Sequence, residues 1–306
     1  MDINFELYKV FYYTAKNQSF SIAAKKLHIS QSAVSQSIKS LEDKLGNQLF
    51  FRKIREIKLT PEGEVLFKHI EQAYNFIKSA ENKILQFQTL ERGEIRIGVS
   101  DTICKYYLIP YIQKFISKYP KVKIHVVNRT SLQIQQILKD GSIDFGIVTL
   151  PVDDKSLNIK NFVTLQDIFV ASYKFSHLKG KKIFLKELVN YPLLMLDKST
   201  STRKNTDYFF TKNDLDITPE IELESIDLLL EFSKIGLGIA LVLRESALDL
   251  IKNDNLFEVK LNESITPRKI GIITMKNVPL SRASLEFIAN LNIQAPGGNS
   301  TQSEDL

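Results

Sequence analysis

The sequence predicts an α/β chain with a helical, basic head, and three observations predict it. The first is uneven charge. The chain of 306 residues has a net charge of +6, yet residues 1–60 hold ten Lys or Arg and five Asp or Glu. Those residues therefore carry +5 and the remainder +1, as expected if the head meets a polyanion. The second is a change of pattern. Helical periodicity gives way, from Glu94, to strands alternating with helices. The third is a 3.5-residue repeat between these parts, at Leu66, Ile70, Ala73, Ile77, Ala80, Ile84 and Phe87, which is the spacing of helices that pair. The length suits two or three compact units, and 43% hydrophobic content suits a soluble globular chain.

The head reads as a bundle of short helices. Residues 4–16 form the first, with Leu7, Val10, Phe11, Thr14 and Ala15 turned inward. Asn17 to Phe20 is a turn, and Ser19 can cap a second helix, SIAAKKL, whose Ala23 and Ala24 permit a close crossing. His28 and Ile29 make a tight connection. Ser30 can cap a third helix, in which Val34, Ile38, Leu41 and Leu45 mark one apolar face, and Gly46 supplies the stop. This is a helix-turn-helix pattern. The outer face of the third helix carries Gln31, Ser32, Ser35, Gln36 and Lys39. An ordinary solvated face would be rich in Glu and Lys. Amides and hydroxyls on a helix anchored from behind suit the base edges of a major groove.

After Gly46, LFFRK (49–53), IRE and IKLT (57–60) read as two short strands and a turn, a basic wing. Arg52, Lys53, Arg55 and Lys58 would lie near phosphates, where charge gives affinity without sequence preference. Taken singly, each is only a surface cation. Thr60-Pro61 restarts a helix, with Thr as cap and Pro in the first turn. A helix of ~27 residues is ~40 Å long. We read it as a linker that pairs with a second copy. The alternative is a helix lying on its own core, for which a 3.5 repeat is too narrow a stripe.

Arg92-Gly93 ends the rod. Strands are expected at 95–99, 122–127, 144–148, 168–173, 193–196, 220–223, 239–243 and 269–274. Helices are expected at 103–118, 131–139, from about 202, at 226–235 and at 281–291. Alternation of this kind implies a parallel sheet. The late strand suggests that the chain returns to the first of two sets. The last residues, APGGNSTQSEDL, are expected to be disordered.

Several classes are disfavoured. No run of ~18 apolar residues exists, and MDINFELYKV does not read as a signal peptide. Cys104 is the single cysteine, so an intramolecular disulfide is excluded, in keeping with a reducing cytoplasm. Cys104 at a helix start invites a redox reading, but a buried structural Cys is the expectation. The four histidines fall in separate elements without metal spacing. No phosphate loop or nucleophile elbow appears, and Asp144 before an apolar strand reads as a turn former. No enzyme activity, metal or cofactor is expected.

The stretch SFSIAAKKLHISQSAVSQSIKSLEDKLGNQLFFRKIREIKLTPEGE (19–64) resembles the winged helix-turn-helix of the LysR-type transcriptional regulators. The Ala pair, SQSAVS, LFFR and LTPEG all take part. RIGVS (96–100), LIPYIQKF (108–115), KYP (118–120), DFGIV (144–148) and GLGIALV (236–242) extend the resemblance through the second half. The resemblance implies a winged helix-turn-helix over 1–60 and a dimerisation helix over 61–91. It implies an effector-binding domain over 92–295, of two α/β subdomains like those of type 2 periplasmic binding proteins. Subdomain I would take about 92–163 and 266–295, subdomain II about 164–265, and 296–306 would be tail.

In that family Gln31, Ser32, Ser35 and Gln36 would read bases, and Arg52 would grip backbone. A small-molecule effector would meet Ser100, Asp101, Thr102, Thr149, Thr200, Ser201, Thr202 and Arg203 in the cleft. These groups also lie at carboxyl ends of strands and at helix starts, where ligands and anions gather. The hydroxyls could equally serve only as caps. Three departures stand out. Asp101 would repel an anion unless Arg203 or a cation compensates. STSTR (199–203) replaces a glycine-containing word, and the wing turn IRE lacks glycine. The partners implied are a near-palindromic DNA duplex, the effector, a second copy in a dimer or tetramer, and RNA polymerase, with no membrane.

Overall fold

The structure is a computed structural model and describes residues 3–51, 57–86 and 93–291. It divides into two compact units, one centred on residues up to Leu85 and one on the α/β residues. The expectations for the wing turn, including Arg52, Lys53 and Arg55, for Phe87 and for the tail lie outside the described residues.

In the first unit, α1 (Phe5–Asn17), α2 (Phe20–Leu27) and α3 (Gln31–Leu45) enclose a core that includes Phe11, Ala23, Val34 and Leu41. Each helix starts on a side-chain cap. Asn4 accepts from the Glu6 N–H, Ser19 from Ile22 and Ser30 from Ala33. Each stops on a residue in the left-handed region, Gln18, His28 and Gly46, with φ of 47°, 55° and 72°. Only the last stop is glycine. Ala23 is fully buried and Ala24 nearly so, which lets α2 and α3 cross closely.

Two extended arms follow α3. Phe50 bridges Leu59 in antiparallel fashion, and the Phe51 N–H donates to the Lys58 carbonyl at 3.0 Å. Thr60 then caps α4 (Pro61–Gln86). Its hydroxyl accepts from the Gly63 N–H at 3.0 Å and donates to the Gln48 carbonyl at 2.7 Å. A Cβ at position 63 would meet the Leu49 carbonyl oxygen at 2.2 Å, so the glycine is a packing requirement. The first half of α4 lies on α1, with the Tyr12 and Tyr74 rings stacked at 4.3 Å. Leu66 and Ile70 join this core. Farther along, Ile77, Ala80 and Ile84 of the 3.5 repeat are exposed. The rod thus begins as a helix on its own core and continues with an uncovered apolar seam.

The second unit starts with β1 (Gly93–Val99), α5 (Asp101–Ile103), a π-helical turn (Cys104–Leu108), α6 (Ile109–Lys118), β2 (Val122–Asn128), α7 (Ser131–Lys139), β3 (Phe145–Thr149) and β4 (Leu157–Leu165). The expected 103–118 helix is therefore interrupted. The Ile109 N–H reaches back five residues to the Cys104 carbonyl. Pro110, which has no N–H to give, then falls in the first turn of α6.

Next come β5 (Asp167–Ala171), a 3-10 segment (Tyr173–Leu178), β6 (Lys182–Ile183), α8 (Leu185–Leu188), β7 (Leu193–Leu196), α9 (Ser201–Lys212), β8 (Ile221–Leu223), α10 (Ile226–Lys234), β9 (Ile239–Leu243), α11 (Arg244–Lys252) and β10 (Phe257–Leu261). The chain closes with β11 (Arg268–Met275) and α12 (Arg282–Leu291).

Among the described residues the strands form two sheets, ordered β2-β1-β3-β11-β4 and β6-β10-β5-β9-β7-β8. Both are mixed, which corrects the expectation of a parallel sheet. β1 runs parallel to β2 and β3, but β11 pairs antiparallel with β3 and β4. β5 is antiparallel to β9 and β10. The physical reason is connectivity. The chain crosses between sheets twice, at β4–β5 and β10–β11, and a strand arriving from the other sheet needs no right-handed crossover.

Candidate functional site

The first candidate surface is the outer face of α3. Val34, Ile38 and Leu41 are buried, each worth about 1.5–3 kcal/mol against exposure. This fixes the helix's roll, so Gln31, Ser32, Ser35, Gln36 and Lys39 are all exposed. Ser21 Oγ donates to Gln31 Oε1 at 2.9 Å and ties the helix start to α2. Ser32 pairs with Ser30 at 2.8 Å. Sequence reasoning missed Glu42, which is buried and accepts the backbone N–H groups of Leu49 and Phe50 at 2.8 and 3.3 Å. It clamps α3 to the first arm. Its spacing from Ile38 and Leu45 put it on the apolar face, which was the available signal.

The second is a cavity of about 630 Å³ in the α/β unit, between the carboxyl ends of β1 and β3 and the start of α9. Ser100, Asp101, Thr102, Thr149, Thr200, Ser201 and Thr202 all line it. Thr200 is spent as a cap: its hydroxyl accepts from the Arg203 N–H at 3.1 Å and donates to the Asp197 carbonyl at 2.8 Å. Ser100 makes no such cap bond, so its hydroxyl is left for the cavity. Asp101 Oδ1 accepts from the Asn128 amide at 3.2 Å. Thr149 is held by its N–H, which donates to Ser131 Oγ at 3.1 Å.

Arg203 is the correction. It does not line the cavity. Its guanidinium is 2% exposed and donates to Asp207 at 2.6 Å, the Leu196 carbonyl at 3.0 Å and Glu222 at 3.1 Å. On α9 the residue after Ser201 and Thr202 turns inward, where two carboxylates and a strand-end carbonyl wait for it. The compensation expected for Asp101 therefore does not come from Arg203. Two arginines that sequence reasoning missed, Arg129 and Arg268, line the cavity instead. Arg268 opens β11 at the second crossing and donates through Nη2 to Asp167 Oδ1 at 2.7 Å, and through Nε to the other carboxylate oxygen. Asp167 opens β5 at the first crossing. The buried pair joins the two crossings, and the Gln166 amide adds a bond to the Ile265 carbonyl at 3.3 Å. No local pattern marks either residue, since they meet only through topology.

Cys104 is half-buried rather than fully buried. Burial, and then the charge of Asp101, raise its thiol pKa. That is opposite to what a reactive thiolate at a helix start requires.

Residues 88–295 match the profile of the LysR substrate binding domain, and residues 5–64 that of the lysR family of bacterial regulatory helix-turn-helix proteins. The chain belongs to the LysR family. It is a LysR-type transcriptional regulator with a helix-turn-helix domain and an effector-binding domain. Its family is one of transcriptional regulators, which are not enzymes. The regulator is 28% identical over 235 residues to the HTH-type transcriptional activator CmpR of Synechocystis, covering 77% of each chain. It is 29% identical over 302 residues to a probable RuBisCO transcriptional regulator of Cyanidium caldarium, covering 94% of this chain and 93% of that one. Among solved structures, full-length CbnR complexed with its target DNA has a TM-score of 0.69 at 17% identity, over 94% of this chain and 99% of that one. A full-length variant of OxyR from Pseudomonas aeruginosa has a TM-score of 0.70 at 18% identity, over 96% of each. These two likenesses concern the fold. Among the described residues, no helix is long and apolar enough to cross a membrane.

Proposed function

We propose that this regulator acts in the cytoplasm and reads a near-palindromic duplex with Gln31, Ser32, Ser35, Gln36 and Lys39 of α3. Arg52 and Lys53 are assigned to phosphates. The observation that carries this reading is the roll of α3, with its apolar stripe buried and its hydroxyl and amide stripe wholly exposed. Side chains of that kind discriminate bases, whereas the wing cations add affinity for any sequence. CbnR, which shares the fold, is seen on its target DNA. The exposed seam of Ile77, Ala80 and Ile84 on α4 fits pairing with a second copy. A dimer would set two recognition helices about one duplex turn apart. Assembly into a tetramer and contact with RNA polymerase follow the family pattern.

The effector is a small hydrogen-bonding molecule held by Ser100, Asp101, Thr102, Thr149, Thr200, Ser201 and Thr202, beside a wall formed by the Arg268–Asp167 pair. It regulates by binding one arrangement of the two sheets better than another. The test is a thermal-shift screen of the full chain against metabolites, followed by anisotropy on duplexes selected from a random pool. A hit that shifts both melting and operator affinity, and that Thr149→Val with Thr202→Val abolishes, supports the assignment. A hit indifferent to those changes contradicts it.

A further inference from the structure

A second cavity, of about 340 Å³, lies along α9 and the strand entering β11. That volume is at the low end for small-molecule sites, roughly 300–1,000 Å³. Its walls are apolar, including Leu150, Phe209, Leu241, Ile265 and Pro267. The ionised side chains among its described lining are Asp167, Arg268, Lys212 and Lys269. Asp167 and Arg268 neutralise each other. Lys212, in the last turn of α9, and Lys269, on β11, are exposed, and their ammonium groups have no partner among the described residues. The cavity thus combines an apolar interior with two uncompensated positive charges.

We propose that this cavity is a second ligand site, for a small amphipathic carboxylate. The hydrocarbon part would lie against Phe209, Leu241 and Ile265. The carboxylate would take charge-assisted hydrogen bonds from Lys212 and Lys269. A neutral ligand of the same shape would leave both cations unused, and a cationic one would be repelled. Arg268 lines both cavities, so an occupant here touches a wall of the cleft. Any effect of that occupant on the cleft's ligand rests on reading the cleft as the effector site; the binding itself does not.

Calorimetry of the full chain with hexanoate and hexanamide tests the proposal. Hexanoate should bind about tenfold more tightly than hexanamide. Lys212→Gln with Lys269→Gln, both at exposed positions, should remove that difference. Asn205→Trp, which fills the cavity from α9, should abolish binding, with circular dichroism confirming the fold. Thr202→Trp in the cleft should leave hexanoate affinity unchanged. Absence of hexanoate binding in the millimolar range, equal affinity for acid and amide, or a loss with Thr202→Trp but not with Asn205→Trp would overturn the proposal. The cleft reading fails separately, on the metabolite response, and that failure would leave the hexanoate result standing.

Discussion

The outer face of α3 and the floor of the cleft present polar side chains by opposite means. On α3 five polar residues come from one helix, and three buried apolar side chains behind them set their direction. In the cleft the polar groups come from the start of α5, the end of β3, the start of α9 and the start of β11, spread along the chain from Ser100 to Arg268. The first surface is a local property of the chain. The second exists only once two sheets are joined by two crossings. Damage to the crossings should therefore affect the cleft and leave α3 intact, and the reverse should hold for damage to α3.

The largest expected effect comes from Arg268→Ala. It strands the Asp167 carboxylate, which is 4% exposed, and should cost about 3–5 kcal/mol in denaturant unfolding of the α/β unit. It should also alter the cleft's ligand response. Arg203→Ala, by contrast, should cost about 1–3 kcal/mol with no change in ligand affinity. Its partners are partly exposed and it faces away from the cavity. If the two substitutions changed ligand affinity equally, the distinction between the arginines would be lost.

A smaller effect is expected in the head. Glu42→Ala leaves the Leu49 and Phe50 N–H groups without their acceptor and should cost about 2 kcal/mol of the helical unit's stability. DNA affinity should fall on all sequences, because the arm that follows α3 loosens. A loss confined to the specific site would contradict the clamp. The smallest effect is kinetic. Cys104 should be alkylated by iodoacetamide more slowly than a free thiol at neutral pH, because burial and Asp101 raise its pKa. The rate should climb only above the ordinary thiol range. Rapid alkylation at neutral pH would reverse that assignment.

This contrast also marks what could be read from the chain alone. Periodicity and caps located α1 to α4, since Ser19, Ser30 and Thr60 are bonded as their sequence positions suggest. Thr149, Thr200, Ser201 and Thr202 were legible as strand-end and helix-start residues, and all reach the cavity. Strand β4 escaped notice because LNIKNFVTL is an edge strand whose apolar alternation, Leu157 and Ile159 then Val163 and Leu165, is put out of phase by a bulge at Phe162. Helix α11 starts without a side-chain cap, so no start signal announced it. Arg203 was expected in the cleft and Arg268 was not singled out, because the direction of each side chain depends on carboxylates and carbonyls supplied by other segments. No spacing in the sequence encodes that pairing.

Base reading by the amide and hydroxyl stripe of α3 is the proposal on which the DNA-binding role of this helix depends. The most direct measurement is the ratio of affinities for a selected operator and a random duplex, at one salt concentration, for the wild type and for Gln31→Ala with Gln36→Ala. The double substitution should lower operator affinity by about tenfold or more and barely change random-duplex affinity. Equal losses on both duplexes would contradict it.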